Sequence, residues 1–562
     1  MRLFIFSICL ISVALVVQGQ DKMDSLISII QDRGEVYVSF ESPRYKSASQ
    51  ASILPGFDRY RGTRSYLYLT ASDLDFIRLN LNNINILKAP SEQFRYLMAD
   101  SLEQVLNGSA YATYPTYLEV MDYFRTNWPD ICNIDTIGRS LGDRLILSAR
   151  LEKPGNPGLQ KPVFFYSGCI HGDETLGYSL LLMLIDELLN RNDETLISEL
   201  LTNSVIYINP LSNPDGTFFN SDTTVFGSTR GNANGVDLNR NFPDPVTGNH
   251  PDGKSWQKET LAMMDYMNRI RPNLSANLHG GAEVINYPFD SYAIRHSDDA
   301  WFRFISSEYA DTAMILRSGY MDDFPGGITN GYDWYSIHGG RQDYVTYFLQ
   351  GREVTMELHN IKTTPEDQIS GLWETNRSSM INYMRQSGYG LNGYVTDSLT
   401  GAPLEAEIYI AGHDTLNSRI YSDPERNGFF VRYLKEGVYT IKISAAGYKD
   451  YYLRDFQIND YQKRVVDIRM VYPDEPISEL YVELTADPLS DEISLYIENP
   501  EVQEMKVFIY DLRGSTIFRS NHELQAGYNQ ININNNFGNG VYFIRLEFKD
   551  GSRIFKILKL RV

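Results

Sequence analysis

The sequence predicts a multidomain chain, with a central α/β domain whose mixed sheet is flanked by helices, a small α/β unit before it and two all-β sandwiches after it. Three observations carry this. The chain has 562 residues, too many for one ordinary hydrophobic core. From about 110 to 387, apolar strand-like runs alternate with amphipathic helix-like runs, the pattern of a mixed or parallel sheet with helical crossovers. Beyond Leu391 the runs become short and alternating, separated by Gly and Asp turns, as in antiparallel sandwiches.

Taken in order, residues 1–19 carry Arg2, the apolar stretch "LFIFSICLISVALVV", then Gln18 and Gly19, the layout of a secretory signal cut near Gly19. No later run approaches the roughly 20 apolar residues that span a bilayer, so the exported remainder is expected to be soluble. Residues 20–105 contain "GEVYVSF" and "SYLYLTASDLDFIRLNLNNINIL", which read as strand, strand, helix, strand. "APSEQFRYLMADSLEQVLNGSAY" follows as a polar, partly helical connector. In the domain at 110–387, "PVFFYSG", "SVIYINP" and "LSANLHG" read as buried strands, and "YLEVMDYFRTNW" and "KETLAMMDYMNRI" as amphipathic helices. The segment 176–189 is apolar nearly all round, so its helix should be packed on several sides. Residues 388–471 and 478–562 are the two sandwiches, and Asp550–Gly551 predicts a terminal hairpin.

The formal net charge is -20, which argues against a nucleic-acid or anionic-membrane partner. Of three cysteines, Cys9 leaves with the signal; Cys132 and Cys169 remain, as one disulfide or as two buried thiols. That count excludes a cysteine zinc site.

The chemistry concentrates in "CIHGDET", where His171, Asp173 and Glu174 stand at the seam between a strand and a helix. A catalytic zinc site needs three N or O ligands and one open position. His171 and Glu174 supply two. His279, at the end of the strand "LSANLHG", is the third candidate, because α/β sheets place ligands at strand ends; its position alone reads better as a hydrogen-bonded core histidine. Of the other histidines, His338 and His359 read as local hydrogen-bonding groups.

The balance changes when "GCIHGDE", "NPDG", "NGVDLNRNFPD", "SANLHGG", "WYSIHGGRQDY" and "TMELHN" are taken together, in this order over about 190 residues. The sequence resembles the zinc carboxypeptidase family, in particular its regulatory N/E-type branch, over about 110–470, including a transthyretin-like sandwich after the catalytic domain. The resemblance implies one zinc ion held by His171, Glu174 and His279. It makes Glu357 the general base and assigns the substrate grip to Arg230, Asn239 and Arg240, with Tyr335 closing over the peptide end. These residue types suit the chemistry, since a planar guanidinium binds a terminal carboxylate in a bidentate manner, and a carboxylate can take a proton from water and return it to the leaving amine. Asp173 and Asp215 read as supporting or loop-shaping groups and Asp237 as structural. Asp290 in "YPFD" matches the aspartate that selects Lys or Arg, so a basic preference is expected. Arg341 stands where the branch usually carries an apolar residue, and if it pointed into the pocket it would neutralise Asp290.

Residues 20–105 are similar in length and pattern to the inhibitory pro-domains of the digestive branch, either a cover removed by cleavage near 105–110 or a permanent accessory domain. The last unit resembles the C-terminal sorting domain of the type IX secretion pathway, through "VFIYDLRGSTIF", "NGVYFIRLE" and "KILKLRV". The implied protein is a monomeric secreted or surface-attached carboxypeptidase acting on peptide and protein C-termini and exported through its last domain. The competing readings are a zinc amidase on cell-wall or acyl-amino-acid substrates and a non-catalytic peptide-binding surface protein.

Overall fold

The computed structural model describes residues 21–155, 159–472, 480–486, 492–534 and 536–559; the signal segment and most of the linker "YPDEPIS" lie outside them. The chain forms two compact units, one running to Ala446 and including Asp450–Met470, the other comprising Gly447–Lys449 and the chain from Val471.

The first unit begins with a helix over 21–33 and four strands, β1 (Glu35–Glu41), β2 (Phe57–Arg61), β3 (Arg64–Thr70) and β4 (Ile84–Ile86), in the order β2-β3-β1-β4. The sequence reading lacked β2. Its sequence "FDRYR" has no apolar alternation, and it is held as a strand by pairing with β3. Gly56, just before it, has a φ of +60°, and a Cβ there would lie 1.7 Å from the Tyr68 carbonyl oxygen, so only glycine lets the chain approach β3 so closely. The two-residue period of the strands splits the sheet's faces. Val36, Val38 and Phe40 of β1 and Leu67 and Leu69 of β3 pack with Leu26, Ile77 and Ile84 in a small core. Glu35, Tyr37 and Tyr68 occupy alternate positions, buried nonetheless, because that face meets the central domain.

The central sheet has eight strands in the order β11-β10-β12-β9-β7-β8-β6-β5: β5 (Cys132–Arg139), β6 (Leu145–Leu151), β7 (Val163–Gly168), β8 (Val205–Asn209), β9 (Leu274–His279), β10 (Ala282–Tyr287), β11 (Ile328–Asn330) and β12 (Arg352–His359). Strands β8, β7, β9 and β12 are mutually parallel, while β5, β6 and β10 pair antiparallel, so the sheet is mixed as predicted. Helices cover both faces. Phe164 and Tyr166 of β7 join a core with the helices Tyr114–Asn127, Leu176–Asn190, Asp299–Leu316 and Glu366–Arg385, while Phe165 points to the other side, toward Lys258–Ile270. The Leu176–Asn190 helix buries twelve of its residues, from Leu176 to Ile185, then Leu188 and Leu189, and so anchors the loop before it. Cys132 and Cys169 are buried free thiols.

Seven further strands, β13 (Gly390–Asp397), β14 (Glu407–Ile410), β15 (Ile420–Tyr421), β16 (Phe429–Arg432), β17 (Gly437–Ser444), β18 (Tyr451–Ile458) and β19 (Lys463–Met470), form two sheets in the orders β16-β13-β19 and β15-β14-β17-β18. They join the central domain around Asp298, which accepts hydrogen bonds from Arg352 (2.8 Å) and from Arg432 of β16 (Phe429–Arg432). The Trp301 and Tyr433 rings stack beside this cluster at 4.9 Å.

In the second unit, strands β20 (Tyr481–Ala486), β21 (Glu492–Asn499), β22 (Gln503–Tyr510), β23 (Thr516–Leu524), β24 (Gly527–Asn534), β25 (Gly540–Phe548) and β26 (Gly551–Lys559) form two sheets, β20-β21-β24 and β23-β22-β25-β26, enclosing Ile493, Leu495, Val507, Ile509, Ile544 and Leu546. The terminal hairpin is present with Phe548 facing Gly551, so Lys549 and Asp550 form the turn and Gly551 opens the last strand.

Candidate metal centre and substrate cleft

The parallel strands β7, β9 and β12 end at one edge of the sheet, and the residues that follow or close them meet there. The loop after β7 carries His171 and Glu174. His279 ends β9, and Glu357 of β12 lies opposite it in register. His171 and His279 are buried with their rings 4.8 Å apart, and their ligand atoms lie with a Glu174 oxygen within 4.8 Å of one another.

Glu174 Oε2 is 2.8 Å from His279 Nδ1 and accepts the Gly280 N–H. Its Oε1 is 3.0 Å from His171 Nδ1, yet that buried nitrogen makes no hydrogen bond among the described residues. On the far side of the ring, Nε2 meets Asp237 Oδ1 at 3.0 Å, which leaves Nδ1 as the nitrogen turned to the cleft. Burial lowers the His279 pKa to about 4, so the ring is neutral, as a metal ligand must be. An orphaned imidazole nitrogen, a second neutral imidazole and a carboxylate converging at one point fit a zinc ion. Asp237, expected to be structural, is therefore the group that orients His171. It also pairs with Arg230 at 2.9 Å, and despite burial Arg230 and His171 hold its carboxyl well below the usual range. Asp215, as expected, shapes a loop, accepting from Ser140, the Gly142 N–H and Arg144.

Glu357 lies beside the triad in the cleft, and its buried Oε2 has no hydrogen-bond partner among the described residues. Burial and then the neighbouring Glu174 charge raise its pKa well above the carboxylate range, the shift a general base needs. Arg230, Asn239, Arg240, Asp290 and Tyr335 line the same cleft. Asn239 and Arg240 sit in a short turn whose first N–H groups are capped by Asp237, and Asn239 Oδ1 accepts the Arg341 N–H at 2.9 Å.

Arg341 departs from the sequence reading of it as a substrate-binding group. Its side chain is fully buried, bonded to both oxygens of Glu353 (2.9 and 2.8 Å) and to Ser167, and its guanidinium lies over the Phe165 ring. A buried guanidinium takes a bidentate carboxylate where one is in reach, so Arg341 leaves Asp290 alone. Asp290 instead accepts from Asn286 and from Gln342, both at 3.0 Å, and burial followed by the Asp343 charge raises its pKa well above the usual range. Gln342 went unremarked in the sequence, although "GGRQDY" contains it.

The N-terminal sheet covers the cleft. Tyr68 donates to Asp173, Glu35 accepts the N–H groups of Arg230 (2.9 Å) and Gly231 (3.2 Å), and Phe57 packs edge-on against Tyr335 at 5.2 Å. Asp58 enters the cleft itself, 2.8 Å from Lys362 Nζ and 3.7 Å from Arg230. The remaining cavity is about 50 Å³, which admits a few water molecules. Lys362 also lies 2.6 Å from Glu174 Oε1. Neither Lys362 nor Asp58 carried a sequence signal, since their pairing is created by the docking of two distant segments. The connector expected to be cut near 105–110 is packed down, with Val105, Gly108 and Ala110 buried; the exposed stretch is residues 93–95 with Leu97.

A second group of possible metal ligands, Asp298, His413 and Asp414, is already filled by cations: Arg352 and Arg432 lie on Asp298, and Arg432 on Asp414.

Two imidazoles and a carboxylate at the carboxyl edge of a mixed sheet, with a free carboxylate beside them, form the layout of a metallohydrolase centre. A family profile for zinc carboxypeptidases matches residues 117–379, and one for secretion system C-terminal sorting domains matches 487–559. Human carboxypeptidase N catalytic chain is 34% identical over 363 residues, 57% of this chain and 77% of that one. Mouse carboxypeptidase M is 34% identical over 348 residues, covering 58% and 76%. Human carboxypeptidase D is 36% identical over 348 residues, 58% of this chain but 24% of that protein, so the chain spans about a quarter of that relative. Among solved structures, carboxypeptidase A from Helicoverpa armigera is similar at 17% identity and a TM-score of 0.49, over 64% of this chain and 98% of that one, too distant to bear on function. The chain belongs to the zinc carboxypeptidase family, and its sorting domain assigns it to secretion and the cell surface.

Proposed function

We propose that the protein is an exported zinc carboxypeptidase that removes the last residue of peptides and proteins. The observation that carries this is the convergence of His171, Glu174 and His279 beside a partnerless Glu357 oxygen and two arginines. His171 Nδ1, His279 Nδ1 and Glu174 would hold one zinc ion, which when bound supplies a Lewis acid for the scissile carbonyl and lowers the pKa of water. Glu357, starved of hydrogen bonds and raised in pKa, takes the proton of the attacking water and delivers it to the leaving amine. Arg240 and Asn239 grip the terminal carboxylate, which restricts cleavage to the chain end. Arg230 faces the negative charge that develops on the carbonyl oxygen, and Tyr335 closes over the bound residue.

Asp290 supports a preference for Lys and Arg. With Arg341 turned away, the Asp290 carboxyl sits where burial disfavours the charged form, and a cationic side chain entering the pocket would favour its ionised form. The N-terminal sheet, which fills the cleft, is an inhibitory cover, and the exposed stretch 93–97 is where an outside protease would release it. Every group the chemistry needs comes from one chain, which supports a monomer, and the sorting domain is the part that would engage the export machinery.

The test is hydrolysis of blocked dipeptides ending in Lys, Arg, Leu, Phe or Glu, by the full chain before and after limited proteolysis, with zinc or with chelator. Chelator-sensitive release of Lys and Arg, faster after cleavage within 93–97, is expected. Zinc-loaded, nicked protein that releases no terminal residue would refute the activity, and preference for Leu or Phe would refute the role of Asp290.

A further inference from the structure

Lys362 is the only lysine among the described residues lining the cleft, and it is buried. Its chain position is fixed by the hydrogen bond from the Thr175 N–H to its carbonyl, 3.1 Å. Its ammonium has two anionic partners of different standing. Glu174, at 2.6 Å, belongs to the metal set; Asp58, at 2.8 Å, is brought in by the covering sheet. Asp58 also lies 3.7 Å from Arg230 and 3.7 Å from its own strand neighbour Arg59. Arg240, Asn239 and Asp290, the groups that take the terminal residue, make no ion pair or hydrogen bond with it among the described residues. The carboxylate therefore occupies the part of the cleft next to Arg230 and Lys362, where the scissile carbonyl and the residue before it would lie.

We propose that Lys362 forms a subsite for a carboxylate side chain on the penultimate residue, so that the enzyme favours peptides with Glu or Asp before the residue it removes. This rests on the carboxypeptidase reading. When the cover leaves, Lys362 loses Asp58 and the Tyr68 ring, which stands 5.6 Å from its ammonium, and keeps only Glu174, which the metal claims. The ammonium is then short of a partner, and a substrate carboxylate placed where Asp58 now sits would meet it with a charge-assisted bond. The preference would run against the chain's net charge of -20, which by itself disfavours acidic peptides, so a positive result cannot come from the overall field.

The test uses the chain carrying Asp58→Ala, to empty the subsite, and Glu357→Gln, to stop turnover, nicked within 93–97 so that the cover can leave the cleft. Affinities are measured for fluorescent peptides ending in Glu-Lys, Ala-Lys and Lys-Lys, with zinc content determined for each protein. The Glu-Lys peptide is expected to bind about tenfold more tightly than Ala-Lys, the ratio falling to about one with Lys362→Gln and persisting with Lys362→Arg. Equal binding of Glu-Lys and Ala-Lys with Lys362 intact overturns the subsite but leaves the carboxypeptidase reading standing, and it does so even if Lys362→Gln does not fold. Failure of a zinc-loaded, nicked chain to bind any of the peptides overturns both.

Discussion

His171 has two ring nitrogens, and a carboxylate 3.0 Å from one of them decides which turns to the cleft. Asp237 accepts from Nε2 and so presents Nδ1 beside Glu174; removing that acceptor frees the ring to rotate and to change tautomer. Asp237→Ala is expected to weaken zinc binding by about 10–100-fold, read by chelator competition, and unchanged affinity would show that the contact is incidental. Glu357→Gln should behave oppositely, retaining zinc while kcat falls by roughly 10³-fold; a loss of metal together with rate would make Glu357 a structural group. Arg240→Lys keeps the charge but not the fork, so KM for peptides should rise about tenfold or more, and an unchanged KM would place the terminal carboxylate elsewhere. That His171, Glu174, His279, Glu357, Arg230 and Arg240 belong to one cleft was legible in the sequence because each sits in a short contiguous motif. Asp237 stood in one of those motifs and was undervalued, since its partner Arg230 and its ring His171 are near it only in space. Arg341 departs from its reading for the converse reason: its motif position suggests a pocket, but Glu353 of β12, 12 residues on, binds its fork.

At the scale of elements, the covering sheet works because its alternate faces do different jobs. One packs Val36, Val38, Leu67 and Leu69; the other presents Glu35, Tyr68 and, through the strand after Gly56, Asp58. The sequence showed the sheet's first face as apolar alternation and left the second as ordinary tyrosines and acids, because docking has no periodic signature. Strand β2 was missed for the same reason: it owes its existence to pairing rather than to its own pattern. The docked face also carries a pH dependence. Burial, and then the Asp173 charge, raise the Glu35 pKa from 4.5 to about 7, so the docked state binds a proton more readily than the released one. Docking is then firmest below about pH 4.5 and loosens as pH rises toward 7, by on the order of 3 kcal/mol at most. Hydrogen exchange of β1 and β3 across that range should show the loosening in the native chain and a flatter profile in Glu35→Gln. Equal profiles would mean that other groups set the pH response.

Over the larger of the two compact units, what has to be explained is why a sandwich and a catalytic domain fold together. Their junction is a buried ion cluster. Asp298 holds Arg352 of β12 and Arg432 of the sandwich, and Arg432 reaches Asp414; burial opposes the Asp298 charge, but Arg432 and then Arg352 overcome it and keep the carboxylate ionised. Two guanidiniums and two carboxylates balance, and His413 adds a bond to Asp298 at 2.8 Å. Buried pairs of this kind contribute little net stability when intact and cost much when broken, because the surviving charge cannot reach water. Asp298→Ala would leave the buried Arg352 guanidinium without its carboxylate and Arg432 with Asp414 alone, and a loss of about 3–5 kcal/mol is expected, read as a lower urea midpoint with exchange rising first in β13 and β16. The cations also exclude a metal from this place, so chelator should leave the midpoint of a zinc-free chain unchanged. A loss below about 1 kcal/mol, the range of exposed pairs, would mean that water reaches the cluster and that the Trp301–Tyr433 stack holds the junction instead.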